Sequence, residues 1–166
     1  MSPAVRNTPL AYLITFRTYG TWLHGDIRGS TDRYHNDYAT LRIRPNPQGR
    51  AYNRSLLARP PVLLDAPRRR CVDGSVRATC AFRGWTLHAL NVRTNYVHAV
   101  ISASCIPESV LRDLKAYATR SLREAGCWIG EQSPWCDGGS TRYLWTENAL
   151  ACAITYVVER QGPALD

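Results

Sequence analysis

The chain has 166 residues, is 45% hydrophobic and 20% charged, and carries a formal charge of +8 at pH 7. This is a globular composition of a length that suits one domain with one sizeable core. It holds no long apolar run, which excludes a membrane-spanning helix, and with no signal peptide legible a cytoplasmic location is expected.

Arginine supplies nearly all of the positive charge. The guanidinium fork stays charged and grips phosphate oxygens bidentately, and many tyrosines and tryptophans accompany it. That combination favours nucleic acid over a merely solvated basic surface. Six cysteines (71, 80, 105, 127, 136 and 152) show no CxxC pair and no zinc spacing, so reduced, partly buried thiols are expected.

In chain order, Ala11–Phe16 predicts a first strand. A polar insertion follows, roughly residues 17–64, rich in Gly, Pro, Arg, Asn and Tyr and without periodicity. Asp65–Gly84 predicts a helix, with Asp65 as N-cap, Gly84 as its stop, and Val72, Val76 and Cys80 as its apolar face. Two alternating runs, Thr86–Val92 and Tyr96–Ser102, flank a short polar turn and predict a β-hairpin. Pro107–Ala125 predicts a second helix, with Leu111, Leu114, Ala118, Leu122 and Ala125 at helical spacing and Gly126 beyond. A short strand over Thr141–Trp145 precedes a last helix, Glu147–Gln161, capped by Thr146 and stopped by Gly162–Pro163. The first strand, two helices, hairpin and last strand follow the ferredoxin-like β-α-β-β-α-β order, an α+β fold with an antiparallel sheet and an added C-terminal helix.

Within the hairpin, strand alternation sends Tyr96 and His98 to one face and Val97 and Ala99 to the other. On the last helix, Leu150, Ile154, Val157 and Val158 read as the buried stripe, with Tyr156 on a different side. A lone strand histidine is most often structural, and a helix tyrosine most often packs. Together they carry more, because a tyrosine beside metal-binding side chains can attack a phosphodiester. His88 differs from His98 in parity by the simplest pairing. His24 and Asp26 lie in a Gly-rich segment that fits either an approach to DNA or a local turn.

Five segments carry a family resemblance: YLITFRTYGTWLHGD (Tyr12–Asp26), LHALNVRTNYVHAVIS (Leu87–Ser102), LKAYATRSLREAG (Leu114–Gly126), GSTRYLW (Gly139–Trp145) and ITYVVERQGP (Ile154–Pro163). In that order they resemble the HUH single-tyrosine transposases, specifically the insertion-sequence and REP-associated members of bacteria. The resemblance implies an enzyme that binds DNA hairpins and cuts single strands. It implies Tyr156 as nucleophile, a 5′-phosphotyrosine intermediate with a free 3′-hydroxyl, and Mg²⁺ or Mn²⁺ as cofactor. Tyr117 is the competing tyrosine, on the earlier helix and away from the family position. A bacterial, nucleoid-associated protein is implied, acting as a homodimer or, as some REP-associated members do, as a monomer.

The implied metal motif is His-apolar-His, and here it reads Tyr96-Val97-His98. His98 matches; Tyr96 does not, and a neutral phenol is a poor divalent-metal ligand at pH 7. The implied third ligand is a glutamine four residues after the tyrosine, where Arg160 stands; Glu159 and Gln161 flank it as candidates. Arg17, Trp22, His24, Arg68, Arg69, Arg70, Arg120 and Arg142 are candidates for DNA contact, with Arg42, Arg44, Arg50, Tyr34 and Tyr52 beside them. Two further readings stay open: a catalytically impaired hairpin-binding protein on the same fold, and a basic RNA-binding module.

Overall fold

The computed structural model describes residues 8–21 and 47–165. Its elements are β1 (Ala11–Arg17), α1 (Pro47–Ser55), α2 (Ala66–Arg83), β2 (Thr86–Val92), β3 (Tyr96–Ser102), α3 (Pro107–Glu124), β4 (Ser140–Leu144) and α4 (Glu147–Glu159). The architecture is α+β, with four antiparallel strands in the order β2-β3-β1-β4.

The sheet has two working faces because the strands alternate. Tyr12, Ile14 and Phe16 of β1 join Val97, Ala99 and Ile101 of β3 beneath α2 and α3 in the larger core. The helices present the expected stripes there: Val72, Val76 and Cys80 from α2, and Leu111, Leu114, Ala118 and Leu122 from α3. Ala125 is the C-cap of α3 and is exposed, so that stripe ends one turn early. Trp135 closes the core by meeting Phe16 edge-to-face at 4.9 Å.

The opposite face buries Ala11, Leu13, Ala89 and Val100 beneath α4. This second core is smaller, and α4 packs mainly on β2 and β3. Single polar groups start the flanking helices. Asp65 accepts a hydrogen bond from the Arg68 amide at 3.0 Å, and Thr146 accepts one from the Ala149 amide at 3.1 Å. Gly84 leaves α2 with φ +71°, a left-handed turn that a side chain disfavours.

Two expectations need correction. The stretch read as aperiodic contains α1, PQGRAYNRS, a helix with no apolar stripe to announce it. The stripe of α4 is also rotated from the one expected. Val158 is exposed, while Ala153 and Val157 are buried and Tyr156 joins Ala149, Leu150 and Ile154 against the sheet. Tyr156 therefore lies beside the buried stripe rather than away from it. Among the described residues no helix is long and apolar enough to cross a membrane.

Candidate active site

The site forms where the C-terminal end of α4 crosses the start of β3. Cross-strand pairing lines up Asn91 of β2, His98 of β3, Thr15 of β1 and Ser140 of β4 in one polar row on the α4 face. His98 is buried, and its Nδ1 lies 2.6 Å from Thr15 Oγ1. That hydrogen bond fixes the plane of the imidazole from below. The His98 ring meets the Tyr156 ring at 5.5 Å between centroids and the Tyr96 ring at 4.7 Å, both tilted.

Gln161 completes the group. It sits two residues beyond α4, is buried, and bonds in two directions: Tyr96 Oη donates to its Oε1 at 2.9 Å, and its Nε2 donates to the Tyr156 carbonyl at 2.7 Å. Two more side chains of the hairpin hold the same chain end. Asn91 Nδ2 donates to the Val157 carbonyl at 2.9 Å, and an Arg93 guanidinium N–H donates to the Pro163 carbonyl at 2.8 Å. The helix bearing Tyr156 is thus tied to β2–β3 by three side chains: Asn91, Arg93 and, through Gln161, Tyr96.

The structure gathers Tyr96, His98, Tyr156 and Gln161. Glu159 is exposed, in the last turn of α4. His88 is on the same face as His98, contrary to the parity argument, because a bulge between Leu87 and Ala89 resets the register. It is nevertheless remote. Its Nε2 lies 2.7 Å from Ser102 Oγ, four residues along β3 from His98, or about 13 Å at ordinary strand rise. Tyr117 lies on α3, on the other side of the sheet, against Phe82 and Arg83. Trp22, His24, Asp26, Tyr34, Arg42 and Arg44 lie outside the described residues, as does the Arg50 side chain.

The candidate DNA-contacting arginines separate into groups. Arg17, opposite Tyr96, and Arg142, opposite Leu13, occupy positions on the His98 face of the sheet. Arg68 donates to the carbonyls of Cys127 and Leu63, and Arg69 to that of Leu64, so both brace the start of α2. Arg70 is exposed. Arg120 pairs with Glu124 on the solvent side of α3, with both side chains largely exposed.

Thr15 and Asn91 are functional neighbours that the sequence reading passed over. A threonine in a strand and an asparagine before a turn carry no signal alone. Only the register of three strands shows that they flank His98.

The divalent cation that the resemblance implies does not fit this donor set. Among the described residues one imidazole is present where the implied motif has two, and a phenol, a poor ligand for a hard divalent cation, stands in the second place. The carbonyl oxygen of Gln161 accepts from Tyr96, and its amide nitrogen donates to the Tyr156 carbonyl. A hard cation favours carboxylate oxygen, and Glu159 is exposed rather than gathered with the group.

No protein-family model matches this chain, and no curated protein matches its sequence.

Proposed function

We propose that this protein is a tyrosine-transposase-type protein that engages single-stranded or hairpin DNA on the sheet face bearing His98, with Tyr156 as the strand-cleaving nucleophile. The observation that carries the reading is the packing of the Tyr156 ring on the buried His98 imidazole, at 5.5 Å between centroids. Two residues 58 positions apart in the chain (156 − 98) meet, which supports reading them as the nucleophile and the motif histidine. The strand order β2-β3-β1-β4, with α2 and α3 on one face, supports a ferredoxin-like sheet, and α4 on the other face supports the added tyrosine-bearing helix.

In this reading the phenolic oxygen of Tyr156 attacks a backbone phosphorus. A P–O bond to Tyr156 forms and the bond to the 3′-oxygen breaks. The phenolic proton passes to His98, and the departing 3′-oxygen takes a proton from water. Arg17 and Arg142, on the same sheet face, offer charge to the phosphates.

The test is a covalent-adduct assay on single-stranded hairpin DNA from the flanks of the gene. Incubation, with or without added Mg²⁺ or Mn²⁺, is expected to yield a slowly migrating protein–DNA band, lost in Tyr156→Phe while folding is intact. An equal band from the variant overturns the nucleophile assignment. A second reading, a hairpin binder without strand cleavage, is favoured by one observation, the phenol of Tyr96 where the implied motif has its second imidazole. It predicts retained DNA binding with no band from the natural chain.

A further inference from the structure

We infer that Tyr96 is a positioning residue that holds Tyr156 against His98 through Gln161, doing with a hydrogen bond what a bound cation would otherwise do. This rests on the reading of Tyr156 as the working tyrosine.

The chain of contacts is short and closed. Tyr96 Oη donates to Gln161 Oε1, Gln161 Nε2 donates to the carbonyl of Tyr156, and the Tyr156 ring returns to His98, which lies against Tyr96. Gln161 is buried at 7% exposure, so its two polar ends need these partners; a buried amide without them is strongly disfavoured. The Arg160 amide makes the last backbone bond of the helix end, to the Tyr156 carbonyl at 3.3 Å, and the chain then turns away at Gly162 with φ +83°. Side chains hold the residues beyond, and Tyr96 reaches Gln161, which bonds back to Tyr156. A phenol reaches farther than an imidazole from the same strand position.

The consequence is a site assembled without metal. The natural chain should take up no divalent cation at His98, and Tyr96→His should create that capacity by releasing Gln161 Oε1 and adding a second imidazole.

The experiment uses the full chain without DNA. Mn²⁺ is titrated into the natural protein, Tyr96→His and Tyr96→Phe, with uptake followed calorimetrically and by Mn²⁺ paramagnetic resonance. Ring-proton resonances of His98 and Tyr156 report their mutual packing in each protein. Saturable one-to-one uptake is expected only in Tyr96→His. Tyr96→Phe should lose the mutual ring shifts of His98 and Tyr156 and melt roughly 2–8 °C lower, as expected for stranding one buried polar group in a chain of this size. A purely packing role for Tyr96 would leave those ring shifts unchanged in Tyr96→Phe, and that result overturns the inference. So does saturable Mn²⁺ uptake by the natural protein. Neither readout depends on cleavage, so the absence of a DNA adduct counts against the proposed function and leaves this result to stand or fall separately.

Discussion

At the scale of single residues, His98 gains its place from a neighbour that contributes nothing alone. Thr15 lies 2.6 Å from the buried imidazole. Thr15→Val keeps the shape of the side chain and removes the partner, leaving His98 Nδ1 without Thr15. Chemical denaturation should show a loss of about 1–3 kcal/mol. The His98 ring resonances should move with it; a variant as stable as the natural chain would show that Thr15 does not bear on His98. Cys80 offers a second test. It is buried at 2% exposure, and desolvation raises its thiol pKa from 9.0 to about 11. In this window the folded chain keeps a proton that the unfolded chain has released. Stability should therefore fall as pH rises from 9 to 11, by on the order of 2 kcal/mol from this thiol. Cys80→Ala should flatten that part of the pH–stability curve. Lys115 acts in the opposite sense: partial burial lowers its pKa, so its contribution to stability grows as pH rises toward 10.5.

At the scale of elements, the join between β1 and β4 is the least forgiving. A Cβ built on Gly139 would stand 2.6 Å from the Thr15 carbonyl oxygen and about 3 Å from the Leu111 side chain. The first of these is backbone and cannot rotate away. Gly139→Ala must push β4 off β1 or displace Thr15, and with it the support of His98. Loss on the order of 2 kcal/mol is expected in thermal or denaturant unfolding. Helix α4 depends on its cap in a milder way. Thr146→Ala removes the acceptor of the Ala149 amide and should cost about 1 kcal/mol by denaturant unfolding. Because Thr146 is at the far end of α4 from Tyr156, it should leave the Tyr156 ring signals in place.

At the scale of the whole molecule, the two faces of the sheet divide the labour. One face buries most of the apolar stripe residues under α2 and α3. The other keeps a smaller core under α4 and leaves room for polar residues on all four strands. With a charge of +8 and arginine dominating it, affinity for hairpin DNA should fall steeply between about 50 and 200 mM salt, as phosphate contacts do. Filter binding across that range checks it. Affinity independent of salt would argue against a phosphate-binding role for these arginines.

The sequence by itself determined the elements with strong local signatures. Asp65 and Thr146 announced helix starts, Gly84 and Gly126 announced stops, and the hairpin showed its alternation, because caps and periodicity are local physics. It also placed Tyr96 and His98 on one face, since parity within a strand needs no tertiary partner. Only the tertiary structure decided the rest. The bulge at Leu87/Ala89 overturned the parity of His88, because register between strands is a property of pairing and not of either strand. The rotation that exposes Val158 and turns Tyr156 to the sheet was set by which side chains α4 could bury on β2 and β3. The bond from Tyr96 to Gln161 joins residues 65 apart in sequence, where no spacing rule applies. It changes the meaning of Tyr96 from a missing ligand to a group with its own partner, because a half-buried phenol and a buried amide meet only once the chain has folded.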